Sequence, residues 1–393
     1  MDTPAVYLDH NATTPLDPRV REAMLPWLGE RHGNPSSIHR FGRAAREAVE
    51  AAREQVAALL GAEPTEIVFT ASGTEANNAV LLDAGRRSGF DGRVVHTAFE
   101  HPSVRGAAAL LAAAGMETVA VDPDGDGVVA AGALLAAVDE RTRLACLMLA
   151  NNEVGTLQPV AEVAEECRRR GVPLLCDAVQ AIGKVEVDAR ALGVDFLTLG
   201  GHKFHGPLGA AALYVRRGAE LEALLVGGAQ ERRRRAGTEN VAAVVGLGEA
   251  ARRARGELRE RHRHLAALRD RFEAGAGAIP GVRLHATAAR RLPNTSHLAF
   301  DGVEGEALLI RLDLAGFAVS TGSACASGAV EPSVATRAMG MERGEALSSL
   351  RVSFGMTNTA DEVERFLVAL AREVAELRRL TGAAQTAVGE TVR

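Results

Sequence analysis

Short apolar runs rich in β-branched residues recur along the first half of this chain, at 67–69, 94–95, 118–121, 144–149, 173–176 and 196–199. Between most of them lie Ala-, Glu- and Arg-rich stretches with helical spacing, as at 43–60 and 160–170. Runs apolar at every position are strands buried on both faces, and a helix between consecutive strands is what a parallel crossover needs. The alternation predicts an α/β fold with a mostly parallel sheet covered by helices on both faces.

Beyond residue 240 the pattern changes. Residues 241–274 carry few helix breakers, which predicts long helices leading away from the sheet. Strand candidates follow at 282–285, 296–300 and 350–354, with helices near 305–312 and 361–379, and together they predict a smaller α+β unit. A chain of 393 residues exceeds what one hydrophobic core usually organises. The expected division is a large unit over 16–257 and a small one built from 1–15 and 258–393. The tail after residue 380 is polar and small, and mobility is expected there.

Charge and cysteine content narrow the function. With 45 basic and 50 acidic residues the formal charge is −5, which gives no electrostatic reason to expect nucleic acid or an anionic membrane as partner. No apolar stretch is long enough to cross a bilayer, and residues 1–8 lack a basic segment followed by an apolar run. A soluble, cytoplasmic protein with a small substrate is expected. The four cysteines are too sparse for a disulfide scaffold and lack the CxxC spacing of zinc sites, so no metal is expected.

The chemistry gathers where strands end. Gly200-Gly201-His202-Lys203-Phe204-His205-Gly206-Pro207 follows the apolar run 195–199, and functional sites of open α/β sheets collect at such carboxyl ends. A lysine there can lose its charge through burial and become a nucleophilic amine. At Thr70-Ala71-Ser72-Gly73-Thr74-Glu75 a strand runs into a helix start, whose free N–H groups and Thr74 hydroxyl suit a phosphate. A plain helix cap accounts for that turn equally well when it is taken alone.

Cys176-Asp177-Ala178-Val179-Gln180, Asn151-Asn152-Glu153 and Glu100-His101-Pro102 each follow a strand. Five strand ends therefore carry polar or ionisable groups, and together they describe a cofactor pocket. A carboxylate at Asp177 can pair with a protonated pyridine nitrogen. Cys146, Cys167 and Cys176 sit in apolar strand or helix patterns and read as structural. Cys325 lies instead in Ser320-Thr321-Gly322-Ser323-Ala324-Cys325-Ala326-Ser327-Gly328, among small residues that favour an accessible, moving thiol. Arg232, Arg233 and Arg234 read as a solvated basic loop.

Taken in order, these motifs resemble the NifS/IscS-type cysteine desulfurases, in the class V aminotransferase group of fold-type I pyridoxal-phosphate enzymes. The match extends from Tyr7-Leu8-Asp9-His10-Asn11-Ala12-Thr13-Thr14-Pro15, through Gly33-Asn34-Pro35-Ser36-Ser37, to Leu350-Arg351-Val352-Ser353-Phe354-Gly355. The resemblance implies a seven-stranded sheet and pyridoxal 5'-phosphate held on Lys203. Asp177 would meet the ring nitrogen, His101 the ring face, and Asn152 and Gln180 the ring hydroxyl. Gly73, Thr74 and His202 would hold the phosphate. Thr238 would reach the phosphate of a neighbouring subunit, which implies a homodimer.

By the same resemblance Arg351 would clamp the carboxylate of L-cysteine, with Asn152 beside it. Lys203 and His101 would handle protons, and Cys325 would receive sulfur as a persulfide while alanine leaves. Acceptors such as an iron–sulfur scaffold would follow, and Cys325 would touch an iron–sulfur cluster only in passing. Gly200 stands where the family usually has a phosphate-binding serine, a departure that costs one hydrogen bond worth about 1 kcal/mol. A selenocysteine lyase or another aminotransferase of the same fold would need Lys203 and Asp177 but no cysteine at 325. A non-catalytic sulfur carrier would have no need of Lys203, Asp177 and Arg351.

Overall fold

In a computed structural model of the chain the described residues are 5–321, 324–326 and 329–391, with side chains omitted over 322–330 and 383–393. The large sheet is made of β1 (Ile67–Thr70), β2 (Arg93–Thr97), β3 (Glu117–Val121), β4 (Thr142–Cys146), β5 (Leu174–Asp177), β6 (Phe196–Gly200) and β7 (Ala211–Val215). Their order across the sheet is β1-β7-β6-β5-β4-β2-β3. β7 runs antiparallel to both β1 and β6, and the remaining pairs are parallel. Every strand except β7 therefore points its carboxyl end at the same edge.

Alternation within the strands divides the packing. Leu175, Val94, Leu144 and Phe196 face one core, under the helices Gly73–Arg87 and Pro102–Ala113. Leu174, Cys176, Val95 and Leu197 face the other, under Arg40–Leu59 and Val160–Arg169. The six strand candidates of the sequence are all present. β7 was not anticipated, because its Ala211-Ala212 start carries little β-branched character.

A further core forms around Phe272, Phe300, Phe354 and Phe366. It packs the antiparallel strands Val282–Leu284, Thr295–Phe300 and Ser349–Ser353 against the helices Gly305–Leu314 and Ala360–Thr391. Val6 and Leu8 belong to this core, whereas Val20 belongs to that of the large sheet. One helix of 37 residues, Val241–Gly277, contributes Ala243 to Ala254 to the first core and Leu265 to Ala276 to the second. The last helix runs on to Thr391 instead of stopping near 379. Its extension contains no proline, and propagating an existing helix is far easier than starting one.

One loop holds three consecutive non-glycine residues at positive φ, Glu231 (47°), Arg232 (56°) and Arg233 (66°). The buried carboxylate of Glu231 pins them, accepting from Arg53 Nη1 at 2.7 Å, Arg53 Nη2 at 2.8 Å and Phe69 N at 2.9 Å. Arg233 itself is exposed. A left-handed conformation costs an L-residue about 1–2 kcal/mol, part of which glycine gives back through its freer unfolded chain. Arg233→Gly is therefore expected to stabilise the fold by up to about 1 kcal/mol, read as a higher melting temperature than wild type.

Candidate active site

The carboxyl ends of β1, β2, β4, β5 and β6 surround a cavity of about 170 Å³. Gly73, Thr74, His101, Asn152, Asp177, Gln180, His202 and Lys203, all expected from the sequence, line it, together with Gly200. Leu147 and Leu149 carry the β4 ladder two hydrogen bonds beyond the strand, to Leu175 O and Asp177 O, which brings Asn152 to the rim.

Each wall has a local cause. Ser72 caps the helix Gly73–Arg87 by accepting from Glu75 N, so the first N–H groups of that helix open on the cavity. A side chain at Gly73 would put its Cβ 2.9 Å from the Val179 side chain just past β5, so glycine lets the helix start approach that turn without pushing Val179 aside. Asp177 is buried. Its Oδ2 accepts from Asn77 Nδ2 at 2.7 Å and its Oδ1 from Val179 N at 3.0 Å, which fixes the carboxylate plane. The same Asn77 nitrogen donates to Ser103 Oγ at 2.9 Å, and Ser103 Oγ lies 2.8 Å from His101 Nδ1.

Electrostatics favour uncharged bases at this edge. Burial, reinforced by the positive charge of Arg351, brings the Lys203 amine down to about 8. Its Nζ donates to Asn11 O at 2.6 Å and to Ala12 O at 2.7 Å. Burial and the charge of Lys203 hold His202 down at about 4, with Nδ1 placed 3.1 Å from Thr13 Oγ1.

Arg351 sits behind this cavity and is not part of its lining. Its Nη2 donates to Asp9 Oδ1 at 2.5 Å and its Nη1 to Asn152 O at 3.0 Å, while its buried Nε has no partner among the described residues. The backbone of Ser320 pairs with that of Arg351, 3.2 Å in one direction and 2.7 Å in the other. From there the chain enters a ribbon, Ala324–Ala326 against Ala329–Glu331, with Cys325 opposite Val330. The Cys325 thiol lies outside the described side chains.

Thr238 is exposed and away from the cavity, and Arg235 pairs with Glu75 at 2.8 Å beside the helix start. Arg232 and Arg233 are exposed as expected, but Arg234 donates to Thr65 O at 2.8 Å. Cys146, Cys167 and Cys176 are free and buried. A Cβ at Gly200 would meet Val179 at 3.5 Å, an ordinary contact, so the backbone there has room for a serine.

The sequence alone assigns no role to several contributors: Asp9, Asn11, Asn77, Ser103 and Lys184. Asn77 and Ser103 sit in helices directly after the motifs they support, where a helix-facing polar residue carries no distinguishing pattern. Asn11 and Asp9 lie in a matched motif, but their partners are more than a hundred residues away.

Glu100 is a buried acid behind the cavity. Its Oε1 accepts from Met148 N at 2.7 Å and Thr97 Oγ1 at 2.9 Å, and its Oε2 has no partner among the described residues. Burial, then the nearby Asp177 carboxylate, push it up to about 8. An acid whose folded value is raised binds more protons folded than unfolded between about 4.3 and 8, so its contribution to stability falls as pH rises through that window. Glu100→Gln removes this loss. Its melting temperature is expected to gain on that of wild type between pH 6 and pH 8; an unchanged gap would mean that Glu100 is already ionised.

The aminotransferase class-V family profile matches residues 6–366. The chain is 42% identical over 378 residues to the cysteine desulfurase IscS of Methanosarcina thermophila, covering 96% of this chain and 94% of that one. It is 44% identical over 380 residues to a cysteine desulfurase of Gluconacetobacter diazotrophicus, covering 96% and 95%. A solved NifS-like protein superposes with a TM-score of 0.89 at 36% identity, over 94% of this chain and 99% of that one. The NifS-like protein of Rickettsia africae gives 0.85 at 32% identity, with 94% and 99% covered. A match over most of the chain to this family, and to cysteine desulfurases in sequence and fold, places it: the chain belongs to the class-V aminotransferase family, among its NifS/IscS-like cysteine desulfurases.

Proposed function

We propose that the chain is a cysteine desulfurase that uses pyridoxal 5'-phosphate on Lys203 to move sulfur from L-cysteine onto Cys325, releasing L-alanine. The observation that carries this reading is the convergence of Lys203, Asp177, His101 and the helix start at Gly73 on one cavity. The residues there fit the cofactor. Asp177 is held with oxygens available to a protonated ring nitrogen, the Gly73–Thr74 helix start offers N–H groups to a phosphate, and His101 lies on the wall between them. Pyridoxal phosphate supplies an aldehyde for amines and a ring that draws electrons from the substrate carbon.

The remaining work falls to the side chains. Lys203, lowered to about 8, is partly neutral near pH 7 and can take the Cα proton of cysteine. The unpartnered Nε of Arg351 offers a donor to the substrate carboxylate. The Cys325 thiolate attacks the substrate sulfur: a sulfur–sulfur bond forms, the carbon–sulfur bond breaks, and its electron pair stays with carbon. Reprotonation there gives alanine. Enzyme thiol plus cysteine becomes enzyme persulfide plus alanine, with no external oxidant.

We read the working unit as a homodimer, divided into the units 16–257 and 1–15 with 258–393. Ile38, Leu208 and Val226 are 87%, 73% and 86% exposed, apolar side chains that a second copy of the chain would cover, and exposed Thr238 suits a reach to its phosphate. Sedimentation is expected to give twice 41.2 kDa. We also read the protein as cytoplasmic, handing its persulfide to an acceptor such as an iron–sulfur scaffold. No helix among the described residues is long and apolar enough to cross a membrane.

The deciding experiment measures alanine and sulfide from L-cysteine under a reductant. Wild type is expected to form them in equal amounts, and Cys325→Ala to lose both by at least about a hundredfold, a barrier increase of about 2.7 kcal/mol. Activity indifferent to Cys325 would transfer the protein to the selenocysteine lyase or aminotransferase reading.

A further inference from the structure

Lys184 lies four residues beyond Gln180 in a run of turns and is only 4% exposed. Its Nζ stands 3.0 Å from Gln180 Oε1 and 3.2 Å from Asn11 Oδ1. Among the described residues it makes no salt bridge. The charges that bear on it most are Lys203 and Arg351, both positive, and the imidazoles of His10, His202 and His205 lie within its field. Burial, followed by those two cations, pushes its amine well below the ordinary lysine value. An uncharged amine has two N–H donors, and the site supplies two acceptor oxygens.

A methionine would fill such a position without the cost of burying a polar group. What a donor adds is direction. With Gln180 Oε1 taken by Lys184, Gln180 Nε2 must face the opposite way. One of its two N–H groups goes to Asn11 O at 2.9 Å, and the other is left for the cavity that Gln180 lines. The reversed amide would set Oε1 against the Asn11 carbonyl oxygen, two acceptors with no hydrogen between them, and would take from Lys184 one of its two acceptor oxygens.

We propose that Lys184 is a positioning residue of the cofactor pocket, locking the Gln180 amide so that an N–H donor faces the ring hydroxyl oxygen of pyridoxal phosphate. The inference rests on the reading that this cofactor occupies the cavity. Lys184 does not touch the cofactor; it acts through Gln180. The donor stabilises the ionised form of the ring oxygen and so lowers the pH at which the bound cofactor titrates.

The test is a pH titration of the visible absorbance of the pyridoxal-phosphate-loaded protein, without substrate, for wild type, Lys184→Met, Gln180→Leu and the double variant. Lys184→Met and Gln180→Leu are each expected to raise the titration midpoint by about one pH unit, a tenfold change in the proton equilibrium. The double variant is expected to go no further than Gln180→Leu alone, because Lys184 has nothing left to orient. Lys184→Gln, which keeps an uncharged donor, is expected to hold the wild-type midpoint, and it carries the test should Lys184→Met fail to fold. A Lys184→Met midpoint equal to wild type, or shifts that add in full in the double variant, would overturn the proposal. A wild-type protein that takes up pyridoxal phosphate without any visible band would instead sink the reading of the cavity itself.

Discussion

Asn11 is the point at which the structure is tied together. Its carbonyl oxygen accepts from Lys203 and from Gln180, and its side-chain oxygen accepts from Lys184 and from Asn294 Nδ2 at 3.0 Å. Its own Nδ2 donates to Asn152 O at 3.1 Å and to Thr295 Oγ1 at 2.9 Å. One residue, 1% exposed, thus joins the strand ends of the large sheet to the strand Thr295–Phe300 of the second core. In a dry environment each of these bonds is strengthened by its neighbours, and losing any one leaves a buried polar group unpaired. The position of Lys203 is therefore set by the N-terminal segment as much as by its own strand.

The pocket combines two arrangements of charge that burial makes interdependent. Lys203 and Arg351 are both cationic in water, and each makes the other costlier to keep charged in the interior. Arg351 is bonded to Asp9, and burial with Arg351 nearby lowers the Lys203 amine. Glu100 and Asp177 repeat the pattern with opposite sign. Each oxygen of Asp177 accepts one N–H, whereas both donors to Glu100 go to Oε1, and burial with Asp177 nearby raises Glu100 to about 8.

Much of this was legible in the sequence because the catalytic edge of a parallel sheet is encoded locally. A strand such as β6 is a run of apolar residues, and the next few residues are by construction at the carboxyl edge, so Lys203, Asp177, His101 and Thr74 could be read without knowing the strand order. The order itself could not be read, and β7, whose composition is nearly that of a helix, went unseen. Asn11, Asp9 and Lys184 were illegible for a different reason. Their roles depend on partners such as Asn294 and Arg351, brought near by the meeting of two cores, and nothing in the residues flanking Lys184 distinguishes it from a lysine on a surface turn. Arg233 shows the converse: a residue whose local preference opposes its conformation, held in place by a carboxylate two positions away.

The helix Val241–Gly277 spans about 55 Å at the usual rise and is packed into both cores along its length. Two bodies threaded on one uninterrupted rod cannot swing apart about a hinge without bending it, and it contains no proline at which bending would be easy. Any opening of one core from the other would therefore have to bend that helix. The stretch that follows Ser320 is anchored to Arg351 at its root, and the backbone of Cys325 lies further along, in the paired segment Ala324–Ala326.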